Sequence, residues 1–264
     1  MTRKQFLKLL FLGLGLSQIS LLAIERINLS QPALAQNQAL TVSAAISLKD
    51  VLNEIKTEYQ KKDPKTIITY NFGSSGSLQQ QIEQGASVDL FISAANKQMN
   101  ALESKNMLLP GSRKIFTRNQ IVLITPKTEN RIQKFSDLTK PSVTKIAIGE
   151  PKSVPAGQYG EEAFKFYKIL DKVQPKLIYG KDVRQVLTYV ETGNVDAGLV
   201  YLTDAKTSNQ VKVVATAPPN SHTPIVYLLA ILKESKNTNS AQAFGEFLTS
   251  TQAKNILKKY GFVD

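Results

Sequence analysis

The sequence predicts an α/β fold. Short apolar runs alternate with helix-period stretches from Ala39 onward, a second set of the same kind follows Pro141, and 42% hydrophobic against 20% charged residues is an ordinary globular mix. A chain of 264 residues is long enough for one large or two modest domains. The run ALTVSAA at 39–45 reads as a strand. After it, Leu48, Val51, Leu52, Ile55 and Tyr59 fall at i, i+3, i+4, i+7 and i+11, which predicts an amphipathic helix over 48–61. Ser47 marks its start and the Lys-Lys-Asp-Pro run at 61–64 ends it. The alternation continues as strand 66–72, helix 77–84, strand 88–93, helix 97–105 and strand 120–125. The second set reads as strand 144–148, helix 158–170, strand 176–179, helix 182–191 and strand 195–201. A strand at 211–215, a break at Pro218-Pro219, an apolar strand at 224–232 and a helix from Ser240 to Tyr260 complete the chain. There is no tandem repeat or low-complexity tract, which argues against a solenoid.

The first 35 residues read as a targeting segment. Arg3, Lys4 and Lys8 precede an uncharged run from Leu9 to Ile24, and the small-residue pattern Ala33-Leu34-Ala35 follows. This is the order of a secretory signal peptide, and the run is shorter than the roughly 20 apolar residues of a membrane-spanning helix. Export to the periplasm is expected, with an uncleaved membrane anchor as the alternative. With no cysteine there is no residue to lipidate, no disulfide, no thiolate nucleophile and no sulfur ligand. One histidine, His222, excludes a multi-histidine metal site. The net charge of +12 raises the question of a nucleic-acid partner, but the basic residues are spread over helices without interleaved aromatics, and an exported protein seldom meets nucleic acid.

Three segments place small or hydroxyl residues between a strand's carboxyl end and a helix start: Ala44-Ala45-Ile46-Ser47, Gly73-Ser74-Ser75-Gly76-Ser77 and Pro155-Ala156-Gly157-Gln158. In open α/β sheets such turns are where ligands dock, and each offers unpaired N–H groups at the positive end of a helix. Together they describe an oxyanion cradle. Taken singly, Ser47 is equally a helix cap, Ser74-Ser75 a flexible turn and Ala156-Gly157 a helix entry. Lys181-Asp182-Val183-Arg184 is a fourth start, in which Asp182 is the expected cap and the Val183 amide is usable only if that carboxylate turns away. Tyr201 ends a strand, and its phenol could donate one hydrogen bond or simply close a core edge.

Searches for a nucleophile fail, because no G-x-S-x-G elbow, Walker loop or dinucleotide fingerprint is present. Asp89, Asp196 and Asp204 lie in or near strand ends and read as caps, and His222 as a surface turn residue.

Read together, the strings AAISLKDVL at 44–52, FGSSGSLQQQIEQGASVDLFISA at 72–94, VPAGQYGEEAF at 154–164, KDVRQVLTYVETGNVDAGLVYLTDA at 181–205 and QAKNILKKYGF at 252–262 resemble one family. It is the periplasmic molybdate-binding proteins of ABC-type molybdate transport systems, with the type II periplasmic binding protein fold. The resemblance implies two lobes, each a mixed sheet flanked by helices, with a ligand cleft between them. Lobe one would hold 39–118 plus 223–264 and lobe two 119–222. By motif, it implies that Ser47, Ser75, Ala156, Val183 and Tyr201 hold molybdate or tungstate through neutral donors, with no metal-cation ligand, no cofactor and no catalysis. It further implies a membrane ABC permease as partner and a monomeric protein. Two departures stand out: Tyr227-Leu228 where the family often has tyrosine-proline, and Gly76 where a third serine is common. The alternatives are a binding protein for another oxyanion such as sulfate, and an exported ester hydrolase, which would need the nucleophile or metal cluster that the chain lacks.

Overall fold

The computed structural model describes residues 38–263. The expected signal peptide over 1–35 lies outside the described residues, and no helix among them is long and apolar enough to cross a membrane.

Ten strands form two five-stranded sheets. The first sheet holds β1 (Gln38–Ala45), β2 (Thr66–Gly73), β3 (Leu90–Ser93), β4 (Lys114–Arg118) and β10 (Val226–Ile231), in the order β2-β1-β3-β10-β4. The second holds β5 (Ile121–Pro126), β6 (Ile146–Gly149), β7 (Leu177–Gly180), β8 (Ala197–Tyr201) and β9 (Val211–Thr216), in the order β7-β6-β8-β5-β9. The two share one plan. Three neighbouring strands run parallel, and the fourth in the order, β10 or β5, lies antiparallel to both its neighbours. The inner strands β3, β6, β8 and β10 are buried along their whole length, as expected of strands covered by helices on both faces.

The covering helices are α1 (Lys49–Lys62), α2 (Ser75–Glu83), α3 (Asn96–Ser104), α8 (Thr238–Leu248) and α9 (Thr251–Tyr260) for the first sheet. The second is covered chiefly by α4 (Pro155–Phe166) and α6 (Val183–Glu191), with the short α5 (Leu170–Val173) and α7 (Leu202–Ala205) at its margins. Only Asn119 and Gln120 separate β4 from β5, so the chain passes directly from one sheet to the other, and it returns between β9 and β10. One apolar core runs through both layers, and a smaller one sits under α2 and α3.

Four sequence expectations change. The helix expected over 48–61 is preceded by a 3-10 turn at Ile46–Leu48, so Ser47 lies inside that turn and does not cap α1; Leu48 occupies the cap position without a side-chain bond. The helix expected over 158–170 begins at Pro155 and ends at Phe166, because proline's missing N–H and fixed φ suit the first helical position. The strand β4 was not expected; it is an edge strand whose burial barely alternates. The helix expected over 240–260 is broken at Thr249-Ser250, where the Ser250 hydroxyl accepts from Ala253 N and starts α9 afresh.

Candidate functional site

The amino ends of four helical segments converge where the two sheets face each other: the 3-10 turn leading into α1, then α2, α4 and α6. They surround a small cavity of about 10 Å³ lined by Ser47, Ser75, Ala156, Val183 and Tyr201, together with Ile46, Ser74, Ala94 and Pro155 among others. The structure therefore brings together all five residues singled out in the sequence. No lining residue carries a charged side chain. Helix amino ends instead carry a partial positive charge and first-turn N–H groups that have no intrahelical acceptor. Pockets for drug-sized molecules span roughly 300–1,000 Å³, far more than this space offers.

The first-sheet wall presents hydroxyls. The Ser75 Oγ accepts from Ala94 N at 2.9 Å, which leaves its hydrogen free for the cavity. The neighbouring Ser74 is spent on the helix: it accepts from Ser77 N at 3.3 Å and donates to Ser77 Oγ at 2.8 Å. Ser47 is 4% exposed, and its Oγ lies 2.8 Å from the Tyr227 hydroxyl.

The second-sheet wall presents backbone. Ala156 is the second residue of α4, among the first-turn amides that have no intrahelical acceptor. Its position depends on Gly157, where a Cβ would stand 1.9 Å from the Gly149 oxygen. At α6 the Asp182 carboxylate accepts from Gln185 N at 2.9 Å, so it is turned away and the Val183 amide is left open. Tyr201, at the end of β8, is 2% exposed, and its hydroxyl makes no aligned hydrogen bond although the Tyr227 hydroxyl lies beside it. Burial holds the Tyr201 phenol well above its ordinary pKa, so it stays a donor. Behind this wall lies a charged cluster of Arg184, Asp204 and Asp50. Arg184 Nε stands 2.7 Å from Asp204 Oδ1 without an aligned hydrogen bond, and Arg184 Nη2 reaches Asp50 Oδ2 at 2.5 Å across the divide. Burial pushes Asp204 up to about 6, against the opposing pull of Arg184.

Further bonds close the cavity between the sheets: Gly76 N donates to Ser153 O at 2.9 Å, and the Tyr159 hydroxyl to Ala94 O at 3.3 Å. The other polar residues flagged in the sequence are structural. Asp89 accepts from Thr41 N, and Asp196 from Thr144 N and Lys145 N. His222 does not line the cavity; its Nδ1 meets Thr223 O at 2.9 Å in a turn. No cluster of potential metal ligands exists among the described residues. Sequence reading missed Tyr227 and Asn119, which stand directly behind Ser47. Two larger hollows, one beside Lys105 and Lys233 and one beside Pro110 and Gln242, lack any buried unpartnered polar atom in their linings.

Comparison with known proteins places this geometry. The family described as "Bacterial extracellular solute-binding protein" matches residues 40–263. The putative ABC transporter substrate-binding lipoprotein YvgL of Bacillus subtilis is 47% identical over 84% of this chain and 85% of its own length. The molybdate-binding protein ModA of Haemophilus influenzae is 40% identical over 86% of this chain and 91% of its own. The substrate-binding domain of a putative molybdenum ABC transporter from Clostridium difficile superposes with a TM-score of 0.68 at 42% identity, covering 86% of this chain and 98% of that one. A match over nearly every described residue, on a fold whose helix ends meet around an uncharged cavity, shows that the chain belongs to the bacterial extracellular solute-binding proteins, which bind their solutes and do not transform them.

Proposed function

We propose that the protein captures molybdate, and equally tungstate, in the cavity between the sheets and delivers it to a membrane ABC permease from the periplasm. The Ser47 and Ser75 hydroxyls, the Ala156 and Val183 amides and the Tyr201 phenol are its donors. The lobes, 39–118 with 223–264 and 119–222, close around it as two bodies, and the chain works as a monomer. The observation that carries the reading is the Tyr201 hydroxyl, a buried donor without an aligned hydrogen bond in a cavity otherwise ringed by helix amino ends. A buried polar group of this kind calls for a partner, and a fully ionised tetrahedral anion supplies one. The molybdate-binding relative points the same way. Each hydrogen bond to a charged group contributes about 1.5–3 kcal/mol, so a handful of donors can retain a dianion without a counter-charge. A larger tetrahedron reaches all five donors at once, whereas sulfate falls short of some. Calorimetric titration of the protein lacking residues 1–35 with molybdate, tungstate, sulfate and phosphate tests this. We expect the first two to bind at least about a hundredfold tighter than sulfate, roughly 2.7 kcal/mol; equal affinities would sink the reading.

A further inference from the structure

We propose that Asn119 and Tyr227 are positioning residues, whose hydrogen bonds turn the Ser47 hydroxyl hydrogen toward the cavity. The inference rests on the oxyanion reading of that cavity. Its starting point is a backbone donor, Gln120 N, which donates to Asn119 Oδ1 at 2.9 Å. With that oxygen occupied, the orientation of the amide is fixed and Nδ2 faces outward. It donates to Thr203 Oγ1 at 2.9 Å and to the Tyr227 oxygen at 3.4 Å. An amide nitrogen has only hydrogens to offer, so the Tyr227 oxygen accepts there. The single Tyr227 proton is then left for its other contact, Ser47 Oγ at 2.8 Å. Ser47 thereby accepts from Tyr227, and its own hydrogen is directed away from that bond toward the cavity it lines.

The relay is rigid. Tyr227 is fully buried, with its ring edge-on to Phe262 and tilted against Tyr201, both at 5.7 Å. Its phenol stays protonated, because burial raises its pKa far above the ordinary tyrosine value. Ser75 reaches the same state by a shorter route, accepting directly from the Ala94 amide. Both serines thus have an acceptor site taken by a fixed donor, which leaves the hydrogen as what each offers a ligand. Asn119 also belongs to the two-residue link between β4 and β5, so the polarity of one donor is set from the point where the chain crosses between sheets.

A double-mutant cycle tests the relay, with sodium molybdate as titrant and calorimetry as readout. Tyr227→Phe should weaken binding about fivefold, the worth of one ordinary hydrogen bond. In the Ser47→Ala background the same change should leave affinity within about 1.5-fold, because a residue acting only through Ser47 has nothing left to position. Equal losses in both backgrounds would reduce Tyr227 to a structural role and overturn the proposal, as would no loss in either. Asn119→Asp is the second variant. It puts an acceptor where Nδ2 donates, so Tyr227 donates to the new carboxylate and accepts from Ser47, whose hydrogen then leaves the cavity. Its loss should be several-fold greater with Ser47 present than in the Ser47→Ala background, where only charge repulsion remains; equal losses again overturn the relay. A wild type that binds none of molybdate, tungstate and sulfate would end the oxyanion reading itself, a result distinct from an additive cycle.

Discussion

The two walls of the cavity do the same job with different parts of the chain. The first-sheet wall offers the side chains of Ser47, bonded to the Tyr227 hydroxyl, and Ser75, which accepts from the Ala94 amide. The second-sheet wall offers main-chain amides at the starts of α4 and α6 and a single side chain, Tyr201. Behind the first wall the two serines meet only hydroxyl and backbone groups, whereas behind the second a buried Arg184–Asp204 pair braces α6 against α7 and reaches across to Asp50 of α1. The contrast teaches that one half of the cradle is written in residue identity and the other half in helix placement.

The largest expected effect isolates the charged brace. Burial pushes Asp204 up to about 6, above the ordinary aspartate value, so between those values the native state holds a proton that the unfolded chain has released. Stability from this group is therefore fully present below about pH 4 and lost as pH rises through 6, on the order of 3 kcal/mol. Thermal melts of wild type and Asp204→Asn across pH 4 to 7 should show wild type losing ground to the variant by about that amount; parallel curves would remove the brace from the comparison. Next comes helix placement. In Gly157→Ala the new Cβ must push α4 off the Gly149 carbonyl, and molybdate affinity should fall about a hundredfold, near 2.7 kcal/mol, by calorimetry. Full affinity in that variant would mean that the Ala156 amide plays no part. Ser75→Ala deletes a donor but shifts no backbone and should cost about 2 kcal/mol of binding; an unchanged Kd would move the first-wall donor elsewhere. The smallest effect is the sharpest contrast. Val183→Ala keeps the amide, so the Kd should stay within about twofold while Tm drops from lost core packing. A large change in Kd would show that the second wall works through side chains after all.

The same contrast explains what could be read from the sequence. Strand and helix alternation was legible because inner strands such as β3 and β10 are apolar throughout and the helices repeat with one buried stripe. The edge strand β4 gave no such signal, since only Phe116 and Thr117 of its five residues are buried. Ser47, Ser75 and Ala156 stood out as small or hydroxyl residues at helix starts, whereas the full set with Val183 and Tyr201 came from the family resemblance. Which serine serves the helix and which faces inward was not: Ser74 and Ser75 are adjacent, and only the fold shows that Ser74 is consumed by Ser77 while Ser75 is held by Ala94. Ser47 reads as a cap because its local context is that of a cap, and the 3-10 turn that displaces it is set by tertiary packing. Asn119 and Tyr227 lie 108 positions apart and meet only because β10 inserts beside β4, so no local pattern could pair them.

The bonds that shut the cavity, Gly76 to Ser153 and Arg184 to Asp50, also set its tempo. With Tyr201 and both serines under 5% exposed, an ion cannot pass in or out while those contacts hold. If the protein holds an ion as proposed, its residence time would follow how often the two halves part, a motion of the microsecond-to-millisecond class, and not the strength of the cradle alone. Gly76 is where that tempo is exposed to change, because a Cβ there would stand 2.4 Å from the Ser153 oxygen and keep the rung from forming. On the proposed function, grip and release would thus be adjusted on separate residues, the first at the cavity floor and the second at its rim.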